Sequence, residues 1–315
     1  MLKQRNVQHS HRTAGNGKGM IVSIIGLGLI GGSVALKLKK SGFATQVMGV
    51  DVNDEHAEKA KALGLVDDTL VLPKALAISD LVILAIPVDS IRKLLPSVLD
   101  RIEDGTTVID LGSTKAGICG AVLGHPNRKN FVAAHPIAGT ENSGPEAAFD
   151  SLFDGKTGIL CDREESQESS FQLAKACLEA LDMHVVEMDS KSHDLHIAYV
   201  SHLSHISSFV LGQTVLEIEK DEATIFNMAG SGFESTVRLA KSSPKMWGPI
   251  FKQNQKHISD SLGAYIENLQ AFKNMIDKGQ EEAMMDCMEN ANEIRRVLDG
   301  INDKSKEREK LNQII

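Results

Sequence analysis

No two cysteines in this 315-residue chain are spaced as CxxC; Cys119, Cys161, Cys177 and Cys287 stand far apart. That scatter excludes a disulfide framework or a cysteine zinc site, suits a reducing cytosol and casts all four as small buried hydrophobes. Basic charge is also scarce. A net charge of −8 argues against nucleic acid as a partner and leaves only local basic spots to hold anionic metabolites. Residues 1–19 are polar, with two histidines and no apolar core, so they are neither signal peptide nor anchor and are expected to be a disordered leader. Residues 21–38 are apolar enough to suggest a membrane span, yet their glycines and serines fit a turn better than a lipid-facing helix. The expectation is a cytoplasmic protein with no membrane partner. Its length allows two domains and a substantial core.

What is present begins with residues 20–38, MIVSIIGLGLIGGSVALKL. A β-branched run meets Gly26-Leu27-Gly28-Leu29-Ile30-Gly31 and then turns helical. Strand, glycine turn and helix follow in the order of a dinucleotide fingerprint. Gly26 permits a tight turn, Gly28 has no Cβ to hold off a pyrophosphate, and Gly31 lets helix and strand pack closely. The backbone N–H groups at Leu29 and Ile30 open the helix, whose positive end favours an anion. A second strand, QVMGV at residues 46–50, ends in Asp51, placed to accept from a ribose 2′-hydroxyl. An anion there repels a 2′-phosphate, so NAD is expected rather than NADP. A glycine-rich turn with no ligand is the plainer alternative, and Asp51 weighs against it.

Helix 54–63 follows, capped by Asn53 and closed by Gly64. A weak strand at 69–72 stops at Pro73, and residues 80–86 read as a buried central strand ended by Pro87. Helix 90–99, strand 106–111, helix 116–123 and strand 130–134 come next. The alternation predicts an α/β fold with a doubly wound, mostly parallel sheet of Rossmann type. Ligands bind such sheets outside the carboxyl ends of the strands. The glycine loop, Asp51, Ile86 and Pro87, residues 112–115 and His135 all fall there. Strands 157–161 and 183–188, around helix 167–181, extend the sheet beyond a loop and short helix at 139–153.

Past Asp189 no strand-like run remains, and the pattern is helical over 194–218, 235–241, 247–276 and 281–298. Ile258, Leu262, Tyr265, Leu269, Phe272 and Ile276 form a narrow apolar seam that calls for another helix. We therefore expect a dinucleotide-binding domain at 20–188, an all-helical substrate and dimerisation domain at 189–300 and a polar tail at 301–315. A second copy is expected to pair through the helices; a self-contained bundle is the alternative.

Three groups could carry chemistry. His135 ends a strand beside Pro136 and, as a neutral imidazole, could take a hydroxyl proton as hydride leaves. A hydrogen-bonded edge residue is an equal reading of it. Ser113, one strand over, could orient that imidazole or bond the same hydroxyl. His193, His196, Ser201, His202 and His205 lie on the first long helix without HExxH spacing, which favours anion binding or substrate hydrogen bonding over metal. Arg238 follows a glycine-bearing turn; it is either a solvated charge or a bidentate clamp for a carboxylate.

Taken together, GLGLIGGS (26–33), GSTK (112–115), HPIAGTENSG (135–144), SHLSH (201–205) and the Arg238 segment followed by Pro244–Trp247 resemble the prephenate/arogenate dehydrogenase family of tyrosine biosynthesis. The resemblance runs over nearly the whole chain. It implies that His135 is the catalytic hydrogen-bond acceptor and that Ser113 assists it. It further implies that His205 and Arg238 bind substrate, with Ser201 on the same helix, and that Glu141 shapes access. Many relatives carry proline where Ser204 stands, a difference expected to alter helix geometry rather than chemistry. No chorismate mutase segment is expected before Met20, and the tail is too short for a regulatory domain of the ACT type. The implied reaction is NAD-dependent oxidative decarboxylation of prephenate, with arogenate as the alternative substrate. A β-hydroxyacid dehydrogenase or pyrroline-carboxylate reductase is a more distant rival, because the former wants a lysine where Ser201 and His205 stand. A non-catalytic NAD-sensing dimer would need neither His135, Ser113 nor Arg238.

Overall fold

Buried on both faces, the β-branched run at Ile21–Ile25 forms strand β1 in a computed structural model that describes residues 19–220 and 225–300. All of the expected leader but Gly19, and the expected tail 301–315, lie outside these residues. Strand β1 pairs in parallel with β2 (Gln46–Val50) on one side and β4 (Leu81–Leu84) on the other. With β3 (Asp68–Thr69), β5 (Thr107–Asp110), β6 (Phe131–Pro136), β7 (Thr157–Cys161) and β8 (His184–Met188), the sheet runs β3-β2-β1-β4-β5-β6-β7-β8. All pairings are parallel save β6 with β7. The strand order reverses between β1 and β4, which opens a crevice at their carboxyl ends.

Six helices cover the two faces: α1 (Leu29–Lys40), α2 (Asp54–Ala62), α3 (Leu72–Ile78), α4 (Val88–Leu99), α5 (Ala116–Ala121) and α6 (Glu168–Ala180). One core packs Val34 and Leu38 of α1 with Phe153 and Phe171. The other packs Ile91 and Leu95 of α4 with Phe131, and it takes in Trp247 and Ile250 from the helical part of the chain. Each such fully buried side chain is worth about 1.5–3 kcal/mol. The expected strand at 69–72 is in fact only Asp68–Thr69, because Pro73 opens α3 within its first turn instead of ending a strand.

Beyond β8, Asp189 caps α7 (Ser190–Ile197) by accepting from the N–H groups of Lys191 and Ser192. Helices α8 (Leu203–Glu219), α9 (Ser231–Val237), α10 (Pro244–Gln253), α11 (Gln255–Asp277) and α12 (Glu281–Asn292) follow. The single helix expected at 194–218 is interrupted by a π-helical stretch, Ala198–His202. The helix expected at 247–276 breaks at Asn254, whose side chain bonds the carbonyl of Asp194 at 2.6 Å. The apolar seam of α11 is covered only at its start: Ile258 is buried, whereas Leu269 and Ile276 are more than half exposed. Among the described residues no helix is long and apolar enough to cross a membrane.

The glycine loop separates a folding requirement from a ligand requirement. A Cβ on Gly31 would lie 1.9 Å from the Gly26 carbonyl oxygen, whereas one on Gly28 would meet nothing within 4 Å. Gly31→Ala is therefore expected to cost about 1–3 kcal/mol of stability through overpacking, seen as a lower thermal midpoint. Gly28→Ala should melt like the parent yet bind NAD about tenfold or more weakly in a fluorescence titration, because its methyl group meets only the pyrophosphate.

Candidate active site

At the crevice, Gly26 adopts φ +97°, and a Cβ there would lie 2.5 Å from the Ala85 carbonyl oxygen and 2.6 Å from Ile86, so β1 and the end of β4 meet only because no side chain stands between them. Gly28 caps α1, which has no side-chain cap and no acidic residue in its first turn. The N–H groups at Leu29 and Ile30 thus open the helix with no side chain capping them, and a Cβ on Gly28 would meet nothing within 4 Å, the arrangement an anion needs. Asp51 is fixed at the end of β2: its carboxylate accepts from Leu27 N at 2.8 Å and from Asn53 N at 2.9 Å. Remaining lone pairs are left for ribose hydroxyls. Ile86 and Pro87 leave β4 beside the loop, with Pro87 capping α4. These residues fit a dinucleotide.

Strands β5 and β6 carry the next edge. In register, Asp110 lies opposite Ala133, so Ser113 and His135 leave adjacent strands on the same side. His135 is buried, and its Nδ1 sits 2.8 Å from Nε2 of His193 on α7. Nδ1 of His193 in turn lies 2.8 Å from Oδ1 of Asp194. The Asp194 carboxylate also accepts the backbone N–H groups of Lys115 (2.7 Å) and Ala116 (2.9 Å) at the start of α5. Lys115 is wholly buried; its ammonium pairs with Asp110 and donates to the carbonyl of Ala134 at 2.6 Å, directly before His135. Burial, together with His193, Lys115 and His202, holds the His135 pKa well below the ordinary imidazole value. The ring is neutral at pH 7, as a proton acceptor must be.

From the helical side, Asn254 Nδ2 reaches 3.2 Å from His202 Nδ1, and burial lowers the pKa of His202 to about 4. Its Nε2, like Nε1 of Trp247, has no hydrogen-bond partner among the described residues. His205 stacks on Trp247 with ring centroids 3.7 Å apart and donates from Nδ1 to the carbonyl of Ser201 at 3.0 Å. That bond leaves Nε2 as the free nitrogen of His205. Burial, and then the neighbouring Arg238 cation, lower its pKa, while the bond to Ser201 opposes them. Arg238 is half exposed and lies 3.6 Å from Glu141, on the loop that follows His135.

Ser201 thus contributes its carbonyl rather than its hydroxyl to this network, and Arg238, Glu141 and His205 gather at one mouth. Among the described residues no group of three or more His, Cys, Asp or Glu is placed to hold a metal ion. The sequence groups His193 with residues suited to binding an anion or substrate, whereas the structure sets it behind His135; it includes Lys115 only as part of a strand-end turn and gives no role to Asp194 or Asn254. A histidine–aspartate pair just inside a helix start was the available signal, but its partner lies 58 residues away.

Two family models match in tandem. The nucleotide-binding domain of prephenate dehydrogenase covers residues 34–187, and its dimerization domain covers 189–290. The prephenate dehydrogenase of Bacillus subtilis (strain 168) is 30% identical over 282 residues, which span 88% of this chain and 76% of that protein. Among solved structures, the prephenate dehydrogenase of Aquifex aeolicus in complex with hydroxyphenyl propionate and NAD+ matches with a TM-score of 0.82 and 31% identity, covering 89% of this chain and 99% of that one. The Synechocystis arogenate dehydrogenase matches with a TM-score of 0.72 and 25% identity, covering 89% and 100%. With a dinucleotide loop and a histidine-lined rim on one edge of one sheet, and this degree of likeness over nearly its whole length, the chain belongs to the prephenate dehydrogenase family.

Proposed function

We propose that this protein catalyses the NAD-dependent oxidative decarboxylation of prephenate to 4-hydroxyphenylpyruvate, a step toward tyrosine, and acts as a homodimer joined through its C-terminal helices. One observation carries the reading: a buried, neutral His135 on the strand edge that continues from the dinucleotide crevice. Bound NAD supplies the hydride acceptor. His135 accepts the proton of the ring C4 hydroxyl, and Ser113, leaving the adjacent strand, orients that hydroxyl. As the C4–H and O–H bonds break, the new carbonyl joins the two ring double bonds in a dienone whose opposite carbon bears the ring carboxylate, a vinylogous β-keto acid. That carboxylate leaves as CO2 and the ring becomes aromatic, so no separate acid is needed for decarboxylation. The protein's share is orientation and one base, the latter worth about 10²–10⁴ in rate.

Arg238 and His205 hold the substrate's carboxylate, with Glu141 beside them at the entrance. A carboxylate meeting His205 Nε2 requires a protonated ring, which the anion itself favours. Oxidation of arogenate is the second reading, supported by the likeness to the Synechocystis enzyme. The two substrates differ only in a keto or amino group on the side chain. Asp51 supports NAD over NADP.

NADH formation measured with each substrate, and with NADP replacing NAD, tests the assignment; turnover of neither substrate would end it. His135→Asn is expected to cut kcat by about 10²–10⁴ with little change in KM. Arg238→Gln should chiefly raise KM, by about 10- to 100-fold, since a charge-assisted bond worth about 1.5–3 kcal/mol is lost from ground and transition states alike. Because the His135 pKa is depressed, kcat should stay level as pH falls through about 6.5, where an ordinary imidazole is half protonated, and decline only below it. A decline beginning above pH 6.5 in a pH–rate profile would contradict the role given to His135.

A further inference from the structure

We infer that His193 and Asp194 are positioning residues that lock His135 into the tautomer with a bare Nε2, an inference that rests on the dehydrogenase reading above. The argument runs along three hydrogen bonds. Both oxygens of Asp194 already accept a backbone N–H, from Lys115 and Ala116, so this carboxylate acts only as an acceptor. His193 Nδ1, 2.8 Å from Asp194 Oδ1, must therefore donate. A neutral imidazole has one N–H, which leaves His193 Nε2 bare. His135 Nδ1, 2.8 Å from that nitrogen, must donate to it. The proton of His135 is thus spent on His193, and its Nε2 keeps a free lone pair for the substrate hydroxyl. The ring planes are tilted by 63° with centroids 5.0 Å apart, a separation that suits a nitrogen-to-nitrogen bond between two imidazoles.

A doubly protonated His193 would reverse the polarity, and burial opposes that state by lowering its pKa. The other groups facing the pair are Lys115, from the turn before α5, and His202, from the π-helical stretch; Lys115 is itself countered by Asp110. In the reaction the substrate O–H bond breaks, an N–H bond forms at His135 Nε2, and the O–H electron pair becomes the carbonyl π bond as hydride departs to the nicotinamide. His135 becomes an imidazolium whose Nδ1–H still points at His193, with the Asp194 carboxylate behind it. Asp194 orients His193 and stabilises the imidazolium through it.

Nitrogen-15 NMR of histidine-labelled enzyme with NAD reads the tautomers directly, with signals assigned through the His135→Asn and His193→Phe variants. Both rings of the parent should carry their proton on Nδ1. Asp194→Ala leaves His193 Nδ1 without its acceptor and should release both rings from a single tautomer, with kcat lower by about 10²–10⁴ and KM within about threefold. A parent His135 protonated on Nε2, or a folded D194A with parental kcat, overturns the inference. Should D194A fail to fold, two further variants decide. His193→Phe fills the ring volume without a polar link, whereas His193→Gln offers both a donor and an acceptor. H193Q should keep at least about tenfold more kcat than H193F; equal values overturn the lock. An enzyme with the stated tautomers but no turnover of either substrate would overturn the functional reading instead.

Discussion

A lysine ammonium taken wholly out of water persists only where a counter-charge and further acceptors replace its hydration. Lys115 meets that condition through Asp110 at the end of β5 and the carbonyl of Ala134 near the end of β6. Its own backbone N–H is given to Asp194 at the start of the helical part. One residue thus fixes the spacing of two strand ends and clamps α7 against them. Removing either member of such a buried pair typically costs about 3–5 kcal/mol, because the survivor is left uncompensated. The positions of His135, one residue past the gripped carbonyl, and of His193, one residue before Asp194, follow from that clamp.

The clamp also sets the electrostatics of His135, the base of the mechanism proposed above. Burial and a nearby cation both disfavour a second positive charge, so His135 rests neutral. A base held that way gains a proton only when charge moves in the reaction, and Asp194 stands ready to balance it through His193. Keeping Lys115 paired with Asp110 limits how far the cation opposes the imidazolium as it forms. The same carboxylate–lysine pair therefore serves architecture and chemistry at once.

Much of this fold is legible in the sequence because its signals are local. Gly26, Gly28 and Gly31 act within one turn, and Asp51 sits where its strand must end. Strand ends bearing Ser113 and His135 can be ranked along one edge from alternation alone, since a parallel sheet places every carboxyl end on the same side. What escapes is decided by contacts across the chain. The π-helical stretch at Ala198–His202 has no proline or glycine to announce it; one inserted residue per turn is a matter of packing, with His202 turned into the core and His205 onto Trp247. The break at Asn254 is likewise tertiary, since its amide is claimed by the Asp194 carbonyl. Pro73 misleads for a different reason: proline forbids a helix interior but suits its first turn.

From His135 to Arg238 the site runs from dry to wet, and that gradient divides its labour. Proton acceptance needs a ring shielded from competing water, which the sheet edge and α7 provide. The carboxylate capture proposed above needs a guanidinium that can still be reached, and Arg238 pairs with Glu141 at 3.6 Å while remaining half exposed. Such pairs contribute about 0–1 kcal/mol, so exchanging Glu141 for a substrate anion costs little. Helix α8 joins the wet end to the proposed dimer. It carries His205 near its start, while Val210 and Leu216 farther along remain more than half exposed, as do Leu269 and Ile276 of α11. A second copy that covers those side chains would steady the helix on which His205 is mounted, so the proposed association and the proposed substrate capture would draw on one structural element.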